Sequence, residues 1–121
     1  MDGNSSIDFY RLGEATVVLL PEDLFQFLVV TDTKDVMREY IDFHRPSRLV
    51  ISFERVAVFG SRAIGELLSL TTHVRNRGGE IRLCSMSHAI REIFVTSQLV
   101  GTVFEIDESV ADATQRFEPD T

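Results

Sequence analysis

The chain has 121 residues, of which 44% are hydrophobic and 26% charged, a composition typical of one soluble globular domain. Its formal net charge of −7 argues against a nucleic-acid-binding surface, because such a surface needs clustered lysine and arginine. There is no signal-peptide pattern, the most apolar segment is interrupted at Pro21-Glu22-Asp23, and the single cysteine, Cys84, allows no intrachain disulfide. We therefore expect a cytoplasmic protein without a membrane span.

The apolar pattern alternates between the periods of strands and helices along the chain. The first half predicts strands at 7–12 and 15–20, a helix from Thr31 or Thr33 to His44, and a buried strand at 48–53. The second half predicts a helix at 61–77 that stops at Gly78-Gly79, a strand at 80–85, a helix at 86–98, a strand at 103–106, and a last helix capped by Asp107 or Ser109. The order β-β-α-β-α-β-α-β-α predicts a single α/β domain with a central, mostly parallel mixed sheet and packed helices.

An apolar stretch, residues 24–30 (LFQFLVV), lies between the second strand and the first helix. If exposed, it would form a partner surface, since large exposed apolar patches mark interfaces. We expect most of it to be core, and burial of Phe25 and Phe27 would count against a partner surface.

No residue pattern predicts catalysis, a metal site or a cofactor. Residues 60–65 have the glycine spacing of a P-loop, but Glu66 and Leu67 stand where lysine and Ser/Thr are required. Cys84 and His88 fall short of a zinc site, and the other histidines, His44 and His73, belong to different elements. No local arrangement places a base beside a serine or cysteine, so an enzyme is not expected.

Ser61 lies at the start of the helix predicted at 61–77, after the buried strand predicted at 48–53. Serine is a preferred N-cap, and this role alone would explain it. A phosphate there would also face the positive end of the helix dipole beside Arg62, changing a surface without disrupting the fold.

Residues 49–117 resemble the STAS domain of bacterial anti-sigma-factor antagonists. The turn GSRAIG takes the place of the D-S-(S/T)-G-L-G-type turn of that family. A bend at 98–101, a strand at 102–106 and a closing helix that includes 109–113 follow in the family's order. The resemblance extends over about residues 7–117, with 1–6 and 118–121 expected to be flexible termini.

The resemblance implies a non-catalytic regulator of transcription. Such antagonists bind an anti-sigma factor, which is also a serine kinase of the GHKL ATPase type, and so release the sigma factor. The kinase phosphorylates the serine of the turn and breaks the complex, and a phosphatase restores it. By this resemblance the phosphoacceptor is Ser61, and the partner-binding residues are Gly60, Ser61, Arg62, Ile64, Gly65 and Glu66.

The turn departs from the family pattern at three positions. Gly60 replaces the usual Asp, Arg62 the following Ser/Thr, and Ala63 the next Gly. These departures keep two other functions open. One is a constitutive STAS interaction module, such as a scaffold, and the other is a STAS module that binds a nucleotide or an apolar small molecule or regulates a transport system.

Overall fold

The structure, a computed structural model, describes residues 7–24, 33–97 and 104–117 and confirms the predicted α/β class and order of elements. The strands are β1 Asp8–Leu12, β2 Ala15–Leu19, β3 Arg48–Ser52, β4 Glu80–Cys84 and β5 Ile106–Asp107. The helices are α1 Thr33–His44, α2 Ser61–Asn76, α3 His88–Thr96 and α4 Val110–Arg116. The last strand lies slightly later than its predicted range of 103–106.

The five strands form one mixed sheet in the order β1-β2-β3-β4-β5. β1 pairs antiparallel with β2 through a tight turn at Gly13, whose φ of +63° suits glycine. The pairs β2–β3, β3–β4 and β4–β5 are parallel. The loops after β2, β3 and β4 therefore gather at one end of the sheet, the carboxyl edge. The β1–β2 turn and the loops before β3 and β4 gather at the other end, the amino edge.

The central strands of the sheet, β2 to β4, are mostly buried on both faces, whereas the edge strand β1 is mostly exposed. One face packs against α1, α2 and α3 through a large apolar cluster that includes Ile51, Leu70 and Phe94. The other face packs against α4 through a smaller cluster that includes Val50 and Phe117. This burial explains why β3 carries consecutive apolar residues, as expected for a strand covered on both sides.

Four phenylalanine rings within the larger cluster meet near the carboxyl edge. The Phe94 ring lies 6.2 Å from that of Phe53, 5.7 Å from that of Phe59 and 5.5 Å from that of Phe104, measured between centroids. These spacings and the mostly edge-on geometries are those of favourable aromatic contacts. The cluster joins the end of β3, the residue before Gly60, helix α3 and the segment that leads into β5.

The ends of the helices follow local signals. After α2, Gly78 adopts a φ of +83°, and a Cβ added at Gly79 would come within 2.9 Å of Val74 Cγ1, which explains the glycine pair. Ser109 caps α4 by accepting a hydrogen bond from the N–H of Asp112 at 3.1 Å. Asp107, the other predicted cap, instead lies in β5, where its Oδ2 accepts from Arg82 Nε at 2.6 Å.

An ion-pair network joins α1 to α2. Asp42 Oδ1 lies 2.9 Å from His73 Nε2 and 2.9 Å from a terminal nitrogen of Arg77. Hydrogen bonding to His73, reinforced by the charge of Arg77, lowers the pKa of the Asp42 carboxyl below its ordinary value. The network therefore favours the ionised carboxylate in the folded chain.

Several sequence predictions lie outside the described residues. These are the cap at Thr31, the exposure of Phe25 and Phe27, the bend at 98–101 and the flexible termini. In the part of the chain that the structure describes, no helix combines the length and the apolar character that crossing a bilayer requires.

We expect Asp42→Asn to destabilise the fold at neutral pH and to lose this effect in acid. Because the folded-state pKa is lowered, the carboxylate stabilises the fold above its ordinary value of 3.8, and this contribution disappears as the pH falls through the lowered pKa. Urea unfolding of both proteins between pH 7 and pH 3 measures the difference, with Glu39→Gln as a control for removing one charge from α1. A difference that persists unchanged in acid would contradict the assignment.

Phe94→Ala should lower the free energy of unfolding by about 3–5 kcal/mol, because it removes a fully buried ring and leaves a cavity among three others. Val95→Ala, at the adjacent exposed position, should change it by no more than about 0.5 kcal/mol. Denaturant titration of the two variants gives the comparison, and similar losses in both would show that the cluster does not anchor α3.

Candidate partner-binding site at the start of helix α2

The connection between β3 and α2, residues 53–60, crosses the carboxyl edge of the sheet. Its first half is held by backbone hydrogen bonds, from the Phe53 N–H to the Cys84 carbonyl and from the Val56 N–H to the Phe53 carbonyl, both at 2.9 Å. Ser52 Oγ, itself buried, lies 3.3 Å from both the N–H and a carboxylate oxygen of Glu54. The chain therefore leaves β3 in a defined direction.

The second half of the connection is held by the segment that follows β2. The N–H groups of Ala57 and Val58 both donate to the Glu22 carbonyl, at 2.8 and 3.1 Å, and the Leu24 N–H donates to the Val58 carbonyl at 3.1 Å. Asp23 and Val58 form a parallel bridge. Glu22 and Asp23 are exposed, yet their backbone is paired with the connection.

The connection is also tied to the first strand. Arg55 lies 2.6 Å from the Asp8 carboxylate, which joins the loop to the edge strand β1. This exposed pair contributes little stability by itself, but it adds a third attachment for the loop.

Helix α2 begins one residue earlier than the capping hypothesis required, at Ser61 and not at Arg62. Gly60 is the N-cap, with an extended backbone (φ −125°, ψ 168°), and Ser61 is already the first helical residue. The prediction that Ser61 caps the helix is therefore wrong, because Gly60 occupies the extended position. The Gly60 carbonyl accepts from the Ala63 N–H at 3.0 Å. The Ser61 side chain lies outside the described residues, so its phosphoacceptor role stays a prediction.

The predicted contact residues differ in how far they reach the surface. Arg62 and Gly65 are exposed, Glu66 is half-buried, and Ile64 is half-buried against the core. Arg62 Nε lies 4.0 Å from Glu66 Oε2 along one face of the helix, a weak pair. Ala63, at the family's usual glycine position, is buried.

An exposed apolar side chain that sequence reasoning missed lies beside this helix start. Val58 is 45% exposed, although Val56 is buried and Phe59 packs against the core. With Glu22, Gly60, Arg62 and Gly65 it forms what we call the α2 surface, defined by these five residues. This surface combines an apolar side chain, both signs of charge and accessible backbone, which suits a protein partner.

Little in the described residues near this surface suggests covalent chemistry. Burial raises the pKa of the Cys84 thiol, so the thiol remains protonated at neutral pH and is a poor nucleophile. The His88 side chain is 89% exposed, and its Nε2 lies 3.9 Å from a carboxylate oxygen of Glu92. Within residues 7–24, 33–97 and 104–117, no three His, Cys, Asp or Glu residues form a group that could hold a metal ion.

Comparison with known proteins identifies the family. The sequence profile of the STAS domain matches residues 6–113, so the chain belongs to the STAS domain family. Its fold is similar to that of an RsbS variant from Moorella thermoacetica, with a TM-score of 0.74, 14% identity and coverage of 91% of this chain and 92% of that one. No curated protein matches the chain in sequence.

Two further structural similarities concern proteins of different kinds. SpoIIAA, an anti-sigma factor antagonist in its unphosphorylated form, gives a TM-score of 0.73 at 19% identity, covering 92% of this chain and 95% of that one. The phosphorylated form of SpoIIAA, a Bacillus cell fate determinant, gives a TM-score of 0.68 at 18% identity, covering 93% of this chain and 100% of that one. The murine anion transporter Slc26a9 gives 0.62 at 13% identity, and 88% of this chain matches only 18% of the transporter. At such identities the likeness concerns the fold.

Gly65→Ala should raise the free energy of unfolding by about 0.5–1 kcal/mol, because a Cβ there has no atom within 4 Å and alanine favours the helix interior. The same substitution at Gly78 should lower stability by roughly 1–2 kcal/mol, since its φ is left-handed. Thermal and urea unfolding of the two variants test the pair. A loss of stability with Gly65→Ala would mean that the helix start does not have the open geometry described.

Proposed function

We propose that this chain is a cytoplasmic anti-sigma-factor antagonist that binds its anti-sigma factor through the α2 surface and is switched by phosphorylation of Ser61. The partner is a serine kinase of the GHKL ATPase type, and a serine phosphatase reverses the modification. The chain itself is a regulator of transcription without catalysis. Membership of the STAS family and the fold shared with SpoIIAA, known in both phosphorylated and unphosphorylated forms, support this function.

The position of Ser61 in the backbone is the observation that carries the proposal. Ser61 is the first residue of a 16-residue helix, whose first N–H groups have no acceptor within the helix, and the first turn contains no acidic residue. A phosphate at this position would meet the positive end of the helix dipole and the exposed Arg62. The modification should therefore leave α2 folded and change the charge of the α2 surface.

The departures from the family turn make the surroundings of Ser61 more positive. Gly60 removes a carboxylate next to the serine, and Arg62 adds a guanidinium. Both changes favour a phosphate electrostatically, and that phosphate would compete with Glu66 for Arg62, whose present pair spans 4.0 Å. The same changes remove an acidic contact for the partner, so we expect the partner's docking face to be less basic than in relatives that keep the Asp.

The test is the intact mass of the protein after incubation with ATP and lysate of the native cell. We expect the wild type to gain one phosphate and Ser61→Ala to gain none, while Ser97→Ala, changed at an exposed serine after α3, behaves as the wild type. We also expect Ser61→Asp to weaken capture of the kinase partner and Ser61→Ala to retain it, measured with the partner purified from that lysate.

Absence of phosphate on the wild type, with kinase activity in the lysate demonstrated on another substrate, would overturn the switch. If Ser61→Asp then also binds the partner as well as the wild type does, the constitutive interaction module is the better function. The structural similarity to part of the transporter Slc26a9 makes transport regulation the next function to test in that case.

A further inference from the structure

A cavity of about 410 Å³ lies at the amino edge of the sheet, between the β1–β2 hairpin and the end of α1. Its volume is in the range of small-molecule sites. The cavity is at the opposite end of the parallel strands from the start of α2, and it shares no residue with the α2 surface. The cavity is therefore a separate site from the one proposed at Ser61, and the inference about it does not rest on the proposed function.

The lining of this cavity is basic in a chain whose net charge is −7. Arg11 contributes from β1 and Arg45 from the loop after α1, so two guanidinium groups line it from different elements. The lining also contains Glu14, whose carboxylate lies 3.6 Å from Arg48 and is thereby partly neutralised. Among the described residues, no carboxylate forms an ion pair with Arg11 or Arg45.

Aromatic stacking fixes one wall of the cavity. The Tyr40 ring stacks on Phe9 with centroids 3.9 Å apart and planes 11° apart, and the His44 ring lies 4.1 Å from that of Tyr40 on α1. This stack joins β1 to the last turn of α1 and sets the hairpin relative to the helix. The lining adds hydroxyl groups from Tyr40, Thr16 and Ser47, which can donate hydrogen bonds to an anion.

The backbone at Arg45 is unusual. Its φ of +49° is left-handed, a conformation that glycine adopts freely and that arginine adopts only at a cost. The N–H of Arg45 closes α1 by donating to the Ile41 carbonyl at 2.7 Å, so the negative end of the helix dipole is nearby. An arginine here offsets that dipole, and it keeps a cationic side chain beside the cavity where glycine would suit the backbone better.

We infer that this cavity binds a small soluble compound that carries a phosphate group. The planar fork of each guanidinium matches phosphate oxygens, and a phosphate has enough acceptor oxygens for both arginines and the hydroxyl groups, whereas a single carboxylate has only two. The rest of such a compound would lie against the edge of the Tyr40–His44 stack and against Pro46, which also line the cavity.

The test is calorimetric titration of the full chain with two soluble probes, inorganic pyrophosphate and phenyl phosphate, together with NMR to locate the perturbed amides. We expect saturable binding and shifts centred on Arg11 and Arg45. Arg11→Gln should weaken binding by roughly tenfold, since it removes a charge-assisted hydrogen bond. Arg45→Asn should do the same, because asparagine tolerates the left-handed backbone, while Arg91→Gln on α3 should bind as the wild type does.

Circular dichroism verifies that each variant is folded. If either Arg11→Gln or Arg45→Asn does not fold, the binding affinity of the other variant tests the inference. Three results would overturn the inference. The first is no saturable binding of either probe by the wild type. The second is a set of shifts centred on the amides at the start of α2, which would assign the anion to a helix end. The third comes from a parallel titration with vesicles that contain phosphatidic acid. Binding to these vesicles but to neither soluble probe would assign the phosphate to a lipid surface.

Discussion

The contact among Phe53, Phe59, Phe94 and Phe104 is the constraint on which the carboxyl edge depends. Phe53 and Phe59 stand near the two ends of the connection that leads into α2, so their rings fix where that connection starts and finishes. The middle of the connection is held by the backbone hydrogen bonds from Ala57 and Val58 to the Glu22 carbonyl. An apolar anchor can thus present polar groups and free backbone N–H groups at the surface without strain in the turn itself.

Helix α2 links the two ends of the molecule. With 16 residues at 1.5 Å each it spans roughly 24 Å, from the α2 surface at the carboxyl edge to the amino edge, where it ends near Arg75 and Arg77. Its middle packs on the sheet through Leu67, Leu70 and Val74, so the helix is held along its length. Events at the two ends can be studied separately, because no described residue belongs to both the α2 surface and the amino-edge cavity.

Local signals in the sequence predicted most of the fold. Consecutive apolar residues in β3, the pair Gly78-Gly79 and the cap at Ser109 each depend on neighbours in the chain, and each was predicted correctly. The cap of α2 was not, because whether Gly60 or Ser61 is extended is set by the tertiary anchoring of Phe59. Three other features depend on contacts between segments that are far apart in the chain, and such contacts produce no periodic pattern in the sequence. They are the exposure of Val58, the pairing of Glu22 and the amino-edge cavity. The family resemblance pointed to Ser61 and its neighbours on α2 as the candidate site, but not to Glu22 and Val58 beside them.

The sequential strand order has a consequence for how the domain assembles. Each strand pairs with the one before it in the chain, so no strand has to insert between two that are already joined. During synthesis the β1–β2 hairpin can form within microseconds, and every later strand can add to the growing edge as it leaves the ribosome. The cost is a temporary exposed edge, first on β2 and then on β3, both rich in apolar residues. Aggregation of nascent chains should therefore be most probable before β4 has emerged, and not after the whole domain is made.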